Sequence, residues 1–443
     1  MIDTSLLRNT YFFEKGKIPT KEDIFRFIEA KLRQNAILTA LDDYYNGKQD
    51  ILLKPQPDSS HTVNRVVVNY CKIVADFYNS YLLGKPIQYK SGKNELRSEI
   101  EAIIKYNDGH DVDVVNNQMS NIMGASGEQL YIDSRGYIRF ANVDYRQLIF
   151  VYNKDMEQEL NCVIKFYKYS STDPYYNLEL WTDKDVTKYR MNEGLSSLTS
   201  LGPSESHPFS LVPFVEYINN ENRKSSFAPI LSMQDAYNNL TSAEIDDYEG
   251  FVDSFLGIYN AAGTTNEDIS AMKSNRVLLL DGESKAEWII KNSNPAQIEE
   301  IKKDLSEKIH EVASMPDLTD QNFASNASGV AIKYKMVGAE SVAAKQERKF
   351  KRAIQKRLEL IVGYINFVNN TDYNYTDIEI VFTRNMIGAD NEICDQINAI
   401  YGKVPIKSLA SKLSFITDEE MAFVPVGIAQ EFKGTNDGQR KVP

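Results

Sequence analysis

Apolar residues recur along this chain with two different periods, and the changes of period divide it into regions. Residues 21–47 carry helical spacing, with Thr20 placed to cap the start and Gly47 to end it. After a loop holding Pro55 and Pro57, Val63, Val66, Val67, Tyr70, Val74, Phe77 and Tyr81 fall on one helical face. That stripe predicts an amphipathic helix ending at Gly84-Lys85-Pro86. Two more helical segments lie within 95–123, broken near Asn107-Asp108-Gly109. From about 127 to 218 the period drops to two. Gln129–Ile132 and Tyr137–Phe140 flank Asp133-Ser134-Arg135-Gly136, a hairpin signal, and strands are expected at 147–152, 162–169, 176–181 and 211–217.

Helical spacing returns after Pro229, where Met233, Tyr237, Leu240, Tyr248, Phe251 and Phe255 recur at threes and fours, interrupted by Glu244. Residues 256–297 read as a compact insertion. Its two expected strands, Arg276–Leu280 and Glu287–Ile290, lie around Asp281-Gly282. A lone two-stranded hairpin is marginal in water, so this insertion needs partners, and other copies are the simplest source. The next helix, about 298–315, has Ile298, Ile301, Leu305, Ile309 and Val312 on one face and Glu300, Lys303, Glu307, His310 and Glu311 on the other. Pro316 ends it. A polar loop covers 317–328, and a long helix is expected from about Gly329 to Phe367. Beyond 390 there are helical patches at 391–401, 405–413 and 417–432, and Gly434–Pro443 reads as frayed. An antiparallel β layer between helical regions makes the fold class α+β.

Composition narrows the function. With 443 residues and 42% hydrophobic content, the chain supports a sizeable core and about two or three domains. Its net charge of -12 argues against tight DNA binding, because phosphate contacts dominate such affinity. It leaves open a surface that DNA passes without sticking. Cys71, Cys162 and Cys394 are odd in number and far apart, which fits free thiols in a reducing cytoplasm. No stretch approaches the ~20 apolar residues of a membrane span, and no signal peptide is legible. The Gly-Lys pairs are never followed by Ser or Thr, so the phosphate loop of an ATPase is missing. His310-Glu311 begins like a zinc-protease helix, but Ser314 stands where the second histidine belongs. His61, His110, His207 and His310 are scattered, and no carboxylates form a recognisable acid/base pair. The expectation is a protein without enzyme activity, metal or cofactor.

Four stretches in a fixed order resemble the portal proteins of long-tailed double-stranded DNA phages of Gram-positive hosts. They are Asp43-Tyr44-Tyr45-Asn46-Gly47 with Ile51-Leu52; Asn64–Tyr70 leading to Tyr81–Pro86; Asp235-Ala236-Tyr237-Asn238; and Met315–Leu318, Asn326–Lys335 and Glu347–Phe350. The resemblance implies a ring, usually of twelve copies, with wing, stem, clip and crown. On that plan 1–226 is the first part of the wing, 227–255 the first stem helix, 256–297 the clip and 298–315 the second stem helix. The tunnel loop is then 316–328, the returning wing 329–389 and the crown 390–443.

The resemblance further implies a virion protein at one capsid vertex, assembled in the host bacterial cytoplasm, through which DNA is packaged and ejected. Its implied partners are double-stranded DNA, the terminase large subunit, a head-completion (connector) protein, and the major capsid and scaffold proteins. Alternatives are another oligomeric phage protein, such as a minor head or baseplate component, or a nucleic-acid enzyme.

Several candidate residue sets have two readings. Asp317, Asp320, Gln321, Asn322, Ser325 and Asn326 line the DNA channel by resemblance, or belong to an ordinary surface loop. The second stem helix presents Glu300, Lys303, Glu307 and His310 as a polar face. Val277, Leu279, Trp288 and Ile290 are the expected clip or subunit interface. The acids of 228–257 (Asp235, Glu244, Asp246, Asp247, Glu249, Asp253) either repel DNA as tunnel wall or pair with Lys302, Lys303 and Lys308 across a subunit boundary. The bases of 345–357 (Lys345, Arg348, Lys349, Lys351, Arg352, Lys356, Arg357) either touch phosphate or pair with acids.

Overall fold

The computed structural model describes residues 10–56, 63–252, 255–259, 265, 267, 270, 285–289, 295–317 and 334–385. A short strand, β1 (Tyr11–Phe13), precedes helix α1 (Lys21–Tyr45). Thr20 caps α1 as expected: its side chain accepts from the Asp23 N–H, and Asp23 returns a bond to the Thr20 N–H. Next come α2 (Tyr70–Leu83), β2 (Gln88–Ser91), α3 (Asn94–Tyr106) and α4 (Gly109–Met123). The β region holds β3 (Ala125–Ile132), β4 (Ile138–Val143), β5 (Leu148–Asn153), β6 (Leu160–Tyr167), β7 (Tyr175–Trp181), β8 (Asp185–Asn192), β9 (Leu198–Ser200), β10 (Glu205–Ser206) and β11 (Phe214–Ile218). Helix α5 (Leu231–Val252) and strand β12 (Phe255–Tyr259) follow. The chain continues through β13 (Lys285–Ile289), α6 (Pro295–Val312), α7 (Val337–Asn369) and β14 (Ile378–Val381).

The larger sheet runs β1-β5-β6-β7-β8-β10, with β9 also on β8; β1 joins in parallel and the other pairings are antiparallel. Its one face packs on α1, where Ile24, Phe27 and Ile28 meet Ile149, Val151, Ile164 and Leu180. A smaller sheet, β11-β3-β4, packs with α7 around Leu130, Phe140, Tyr217, Phe350, Ile354 and Ile361. Strand β14 closes back on β2. A third core gathers α1, α2, α4, α5 and α6 through Leu41, Val74, Tyr78, Phe227 and Ile309. Between α4 and β3 the turn needs glycine: Gly124 has φ +85°, and a Cβ there would lie 2.0 Å from the Arg223 carbonyl.

Several expectations shift. The apolar stripe from Val63 is helical only from Tyr70. Residues 63–69 are extended and lie along α5, antiparallel to it. The Asn64, Val66, Val68 and Tyr70 N–H groups donate to Asp246 Oδ1, Ser242 Oγ, Asn238 Oδ1 and Gln234 Oε1, at 2.7, 3.0, 2.9 and 2.9 Å. Gln234 Nε2 donates back to the Val68 carbonyl at 2.6 Å. Two extended residues advance ~6.6 Å and four helical residues ~6 Å, so alternate N–H groups meet successive turns of α5 without losing register. Helical dihedrals would have withdrawn these donors from α5. Asn69 then caps α2 by accepting from the Lys72 N–H.

Helix α5 ends at Val252, and Phe255 begins a strand instead of extending the helical stripe. The strand ending at Ile289 pairs with Phe255–Tyr259, placing Trp288 opposite Leu256. The expected partner, 276–280, lies outside the described residues, as do the segment from 390 onward and Cys394. Strand β8 was not anticipated, because Thr187, Lys188 and Arg190 hide a buried face carried by Val186 and Met191.

Buried charge fixes α7. Arg357 is fully buried, with Nη1 2.6 Å from Asp113 Oδ1 and Nε and Nη2 donating to Glu128 at 2.8 and 2.5 Å. Its guanidinium also lies over the Phe140 ring at 4.4 Å. In the other half, Glu216 accepts from Arg223, Tyr145 and Tyr152. Beside them lies Lys31, 1% exposed, its ammonium 3.8 Å from the centre of the Tyr145 ring. Burial pushes the Lys31 amine down to about 7, against the opposing pull of Glu216 and Asp144 and with a smaller push from Arg223.

Two outcomes test this packing. Replacing Asn238 by Leu strips the Val68 N–H and Gln49 Oε1 of their buried partners. It should cost about 2–4 kcal/mol in urea unfolding; Tyr248→Ala, on the exposed side of α5, should cost less than about 0.5 kcal/mol. Lys31 takes up a proton more readily unfolded than folded between pH ~7 and ~10.5, so its contribution to stability grows as pH rises through that window and is lost as pH falls to 7. Lys31→Met should therefore stabilise the chain on the order of 2–4 kcal/mol at pH 7, and the gain should shrink toward pH 10 in thermal melts.

Candidate functional site

Helices α5 and α6 pack together as an antiparallel pair, joined at one end through the β12/β13 ribbon. The sequence builds this pair with two dissimilar faces on each helix. On α5, Gln234, Asn238 and Ser242 are fully buried against residues 63–70, while Tyr248 is exposed. Asn238 Nδ2 donates to Gln49, whose own amide reaches Asn69 and the Tyr44 carbonyl. Tyr44 in turn donates to Asp235 at 2.8 Å. Helix α5 is thereby bonded to α1, α2 and the turn between them.

On α6, Ile309 is buried, and Lys302 forms a 2.8 Å ion pair with Glu244 of α5 in the same chain. Lys302 thus has an acidic partner on α5 within its own chain. Glu300, Lys303 and Glu307 are exposed together on the outer face. His310 departs from them. It turns inward edge-on to Tyr70, with ring centres 5.8 Å apart, and its Nδ1 donates to the Ser306 carbonyl at 2.8 Å. A hydrophilic residue at helical spacing looked like part of the polar face, but the Tyr70 ring offers it a partner on the buried side.

The end of α6 is held firmly. Tyr78 donates to the Ala313 and Ser314 carbonyls at 2.7 and 3.3 Å, and Ser314 adopts a left-handed φ of 54°. Met315 and Pro316 are buried, and Asp317 is half-buried with a carboxylate oxygen 4.0 Å from His310 Nε2. The chain returns beside its point of departure: a Cβ on Gly338 would lie 3.5 Å from the Ser314 carbonyl oxygen. Residues 314 and 338 thus bring the two ends of the intervening segment close together. Of the loop residues singled out in the sequence, only Asp317 is described; Asp320, Gln321, Asn322, Ser325 and Asn326 lie outside the described residues. So do Val277, Leu279 and Ile290, whereas Trp288 is in β13.

The basic run on α7 divides. Arg357 is in the buried Asp113/Glu128 cluster, Lys349 pairs with Glu221, and Lys356 pairs with Glu359. Lys345 and Arg348 are exposed without an ion-pair partner among the described residues, and exposed Arg352 adds to the positive field on Glu221. Sequence reasoning missed Arg384, which binds Glu340 and Glu347 and ties the segment after β14 to α7. An isolated arginine beyond a short strand gives no sequence signal for this. Among the described residues there is no cluster of His, Cys, Asp and Glu able to hold a metal, and no helix is long and apolar enough to cross a membrane. Cys71 and Cys162 are buried free thiols.

Comparison with known proteins finds relatives along nearly the whole chain. A portal protein of Clostridium phage phiCD119 is 26% identical over 423 residues, covering 88% of this chain and 91% of that protein. The portal protein of Bacillus phage SPP1 is 21% identical over 422 residues, covering 90% and 82%. The family described as phage portal protein, SPP1 Gp6-like, matches residues 24–430, and the chain belongs to that family.

Proposed function

We propose that this chain is the repeating subunit of a ring, twelvefold in the manner of its family, that surrounds a channel for double-stranded DNA at one capsid vertex. The observation that carries the reading is the portal-family match across residues 24–430. Portal proteins are structural ring components of phage capsids, and this chain shares that role as a virion component. On this reading α5 and α6 form the stem, the β12/β13 ribbon starts and ends the clip, and residues 316–328 are the tunnel loop. The wing comprises the two sheets with α1–α4 and α7, and the residues from 390 form the crown.

The stem is suited to transmitting force because the α5 side chains bond directly to backbone of the wing segment 64–70. DNA must move both inward during packaging and outward during ejection, so a deep binding well would arrest it. A chain of net charge -12 with an acidic loop start at Asp317 and Asp320 fits a channel that repels phosphate lightly. Energy then comes from a separate motor, the terminase large subunit, since this sequence lacks a phosphate loop. The clip would dock the head-completion protein, and the wing the scaffold and major capsid proteins, with assembly in the bacterial cytoplasm.

Replacing Asp317 and Asp320 together by Lys should leave rings intact while slowing DNA packaging several-fold, because repeated cations around the channel retain phosphate. Packaging by particles carrying this double variant measures the effect; wild-type rates would remove these residues from the DNA path.

A further inference from the structure

Two exposed rows of opposite charge lie on different helices of this chain. On α6, Glu300, Asp304, Glu307 and Glu311 succeed one another at spacings of four, three and four, all exposed. The row spans ~16 Å of helix. Glu300 and Asp304 have no ion-pair partner among the described residues; Glu307 and Glu311 have only Lys303 and Lys308 on their own helix. On α7, exposed Lys345, Arg348 and Arg352 follow at spacings of three and four, a row of ~10 Å. The opposite side of each helix is committed to the core, through Ile309 on α6 and Phe350, Ile354 and Arg357 on α7. Each row is therefore fixed in orientation, and among the described residues no ion pair joins the two rows.

We propose that the basic row of α7 receives the acidic row of α6 from a neighbouring copy of this chain. This rests on the ring reading and names the surface that joins its subunits. The signs are opposite, the basic row spans the same seven residues of helix as the Glu300–Glu307 part of the acidic row, and the spacings of three and four let both rows present side chains turn by turn. A copy that supplies its α6 row to one neighbour leaves its α7 row open for the next, so the contact propagates head to tail and closes into a ring when the rotation permits. Nucleic-acid phosphate is a weaker fit for the α7 row. Glu221 lies beside Arg352, Glu347 and Glu359 lie on the same helix, and the whole chain is acidic.

The test uses the full-length chain, with ring formation followed by mass photometry over a concentration series and by microscopy of particles. One variant carries Lys345→Glu, Arg348→Glu and Arg352→Glu; a second carries Glu300→Lys, Asp304→Lys and Glu307→Lys; a third carries all six. Each single-row reversal should raise the concentration for half-assembly about tenfold or more, since several exposed ion pairs are replaced by repulsions. The six-fold variant should return to within about threefold of wild type, and its assembly, like wild type, should weaken with salt. Thermal melts matching wild type establish that the single-row variants fold; the rescue variant reads the pairing independently of them. Single-row variants that assemble normally overturn the proposal, as does a six-fold variant no better than either row alone. Normal rings that have lost DNA retention would assign the α7 row to phosphate and overturn it too. Wild-type protein that forms no ring even in particles would instead overturn the ring reading itself, and this interface with it.

Discussion

The structure depends on a direct bond between the backbone of one segment and the side chains of a helix. Four alternate N–H groups of residues 64–70 are satisfied by Asp246, Ser242, Asn238 and Gln234. The constraint is the near-equality of two repeats, two residues of extended chain and four of helix. It explains why small amides, a hydroxyl and a carboxylate recur every fourth residue on α5, where an ordinary buried helix face would be apolar. Gln234, Asn238 and Ser242 are fully buried and Asp246 partly so, and all four are hydrogen-bonded, so losing one of the buried three leaves a backbone donor stranded. Gln49, Asn69 and Tyr44 extend the same network, and α5 cannot pivot freely against α1 and α2 without breaking it.

Around that joint, the rest of the fold is secured by buried charges. Arg357 joins α7 to α4 and β3 through Asp113 and Glu128, while Arg223 and Glu216 join the end of β11 to Tyr145 and Tyr152. Such clusters contribute little net stability over apolar packing, yet removing one member leaves a charge buried and unpaired. Their value is a defined geometry. Lys31 is the exception, a buried amine held by a ring face and distant carboxylates, and its depressed proton affinity is the cost of that position.

Much of the architecture was legible from periodicity. Thr20 announced the start of α1, Gly84 the end of α2, and the alternation after 127 the β region. The failures share a cause: the same residue pattern serves two structures when the partner is distant in sequence. Val63, Val66 and Val67 fit a helical stripe, but α5, some 170 positions later, claims their segment's N–H groups. Phe255 fits the stripe of α5 but pairs with Ile289. His310 belongs to the polar side by spacing and to Tyr70 by contact. Of the basic run, the bases split between buried pairing, surface pairing and open solvent, a division set by where α4, β3 and Glu221 happen to lie. The candidate channel residues were legible only by resemblance, since polar loop composition alone does not say what a loop faces.

The central claim is that copies of this chain close around a channel. Electron microscopy of the protein in phage particles, with averaging about the vertex axis, tests it most directly. The account predicts a closed ring with a central opening of roughly 20 Å or more, wide enough for a duplex held without intimate groove contacts. Its α5/α6 pair should run beside that opening and its α7 rows should face neighbouring subunits. A particle in which the chain is present only as isolated monomers or dimers, or as an assembly with no central opening, would contradict it.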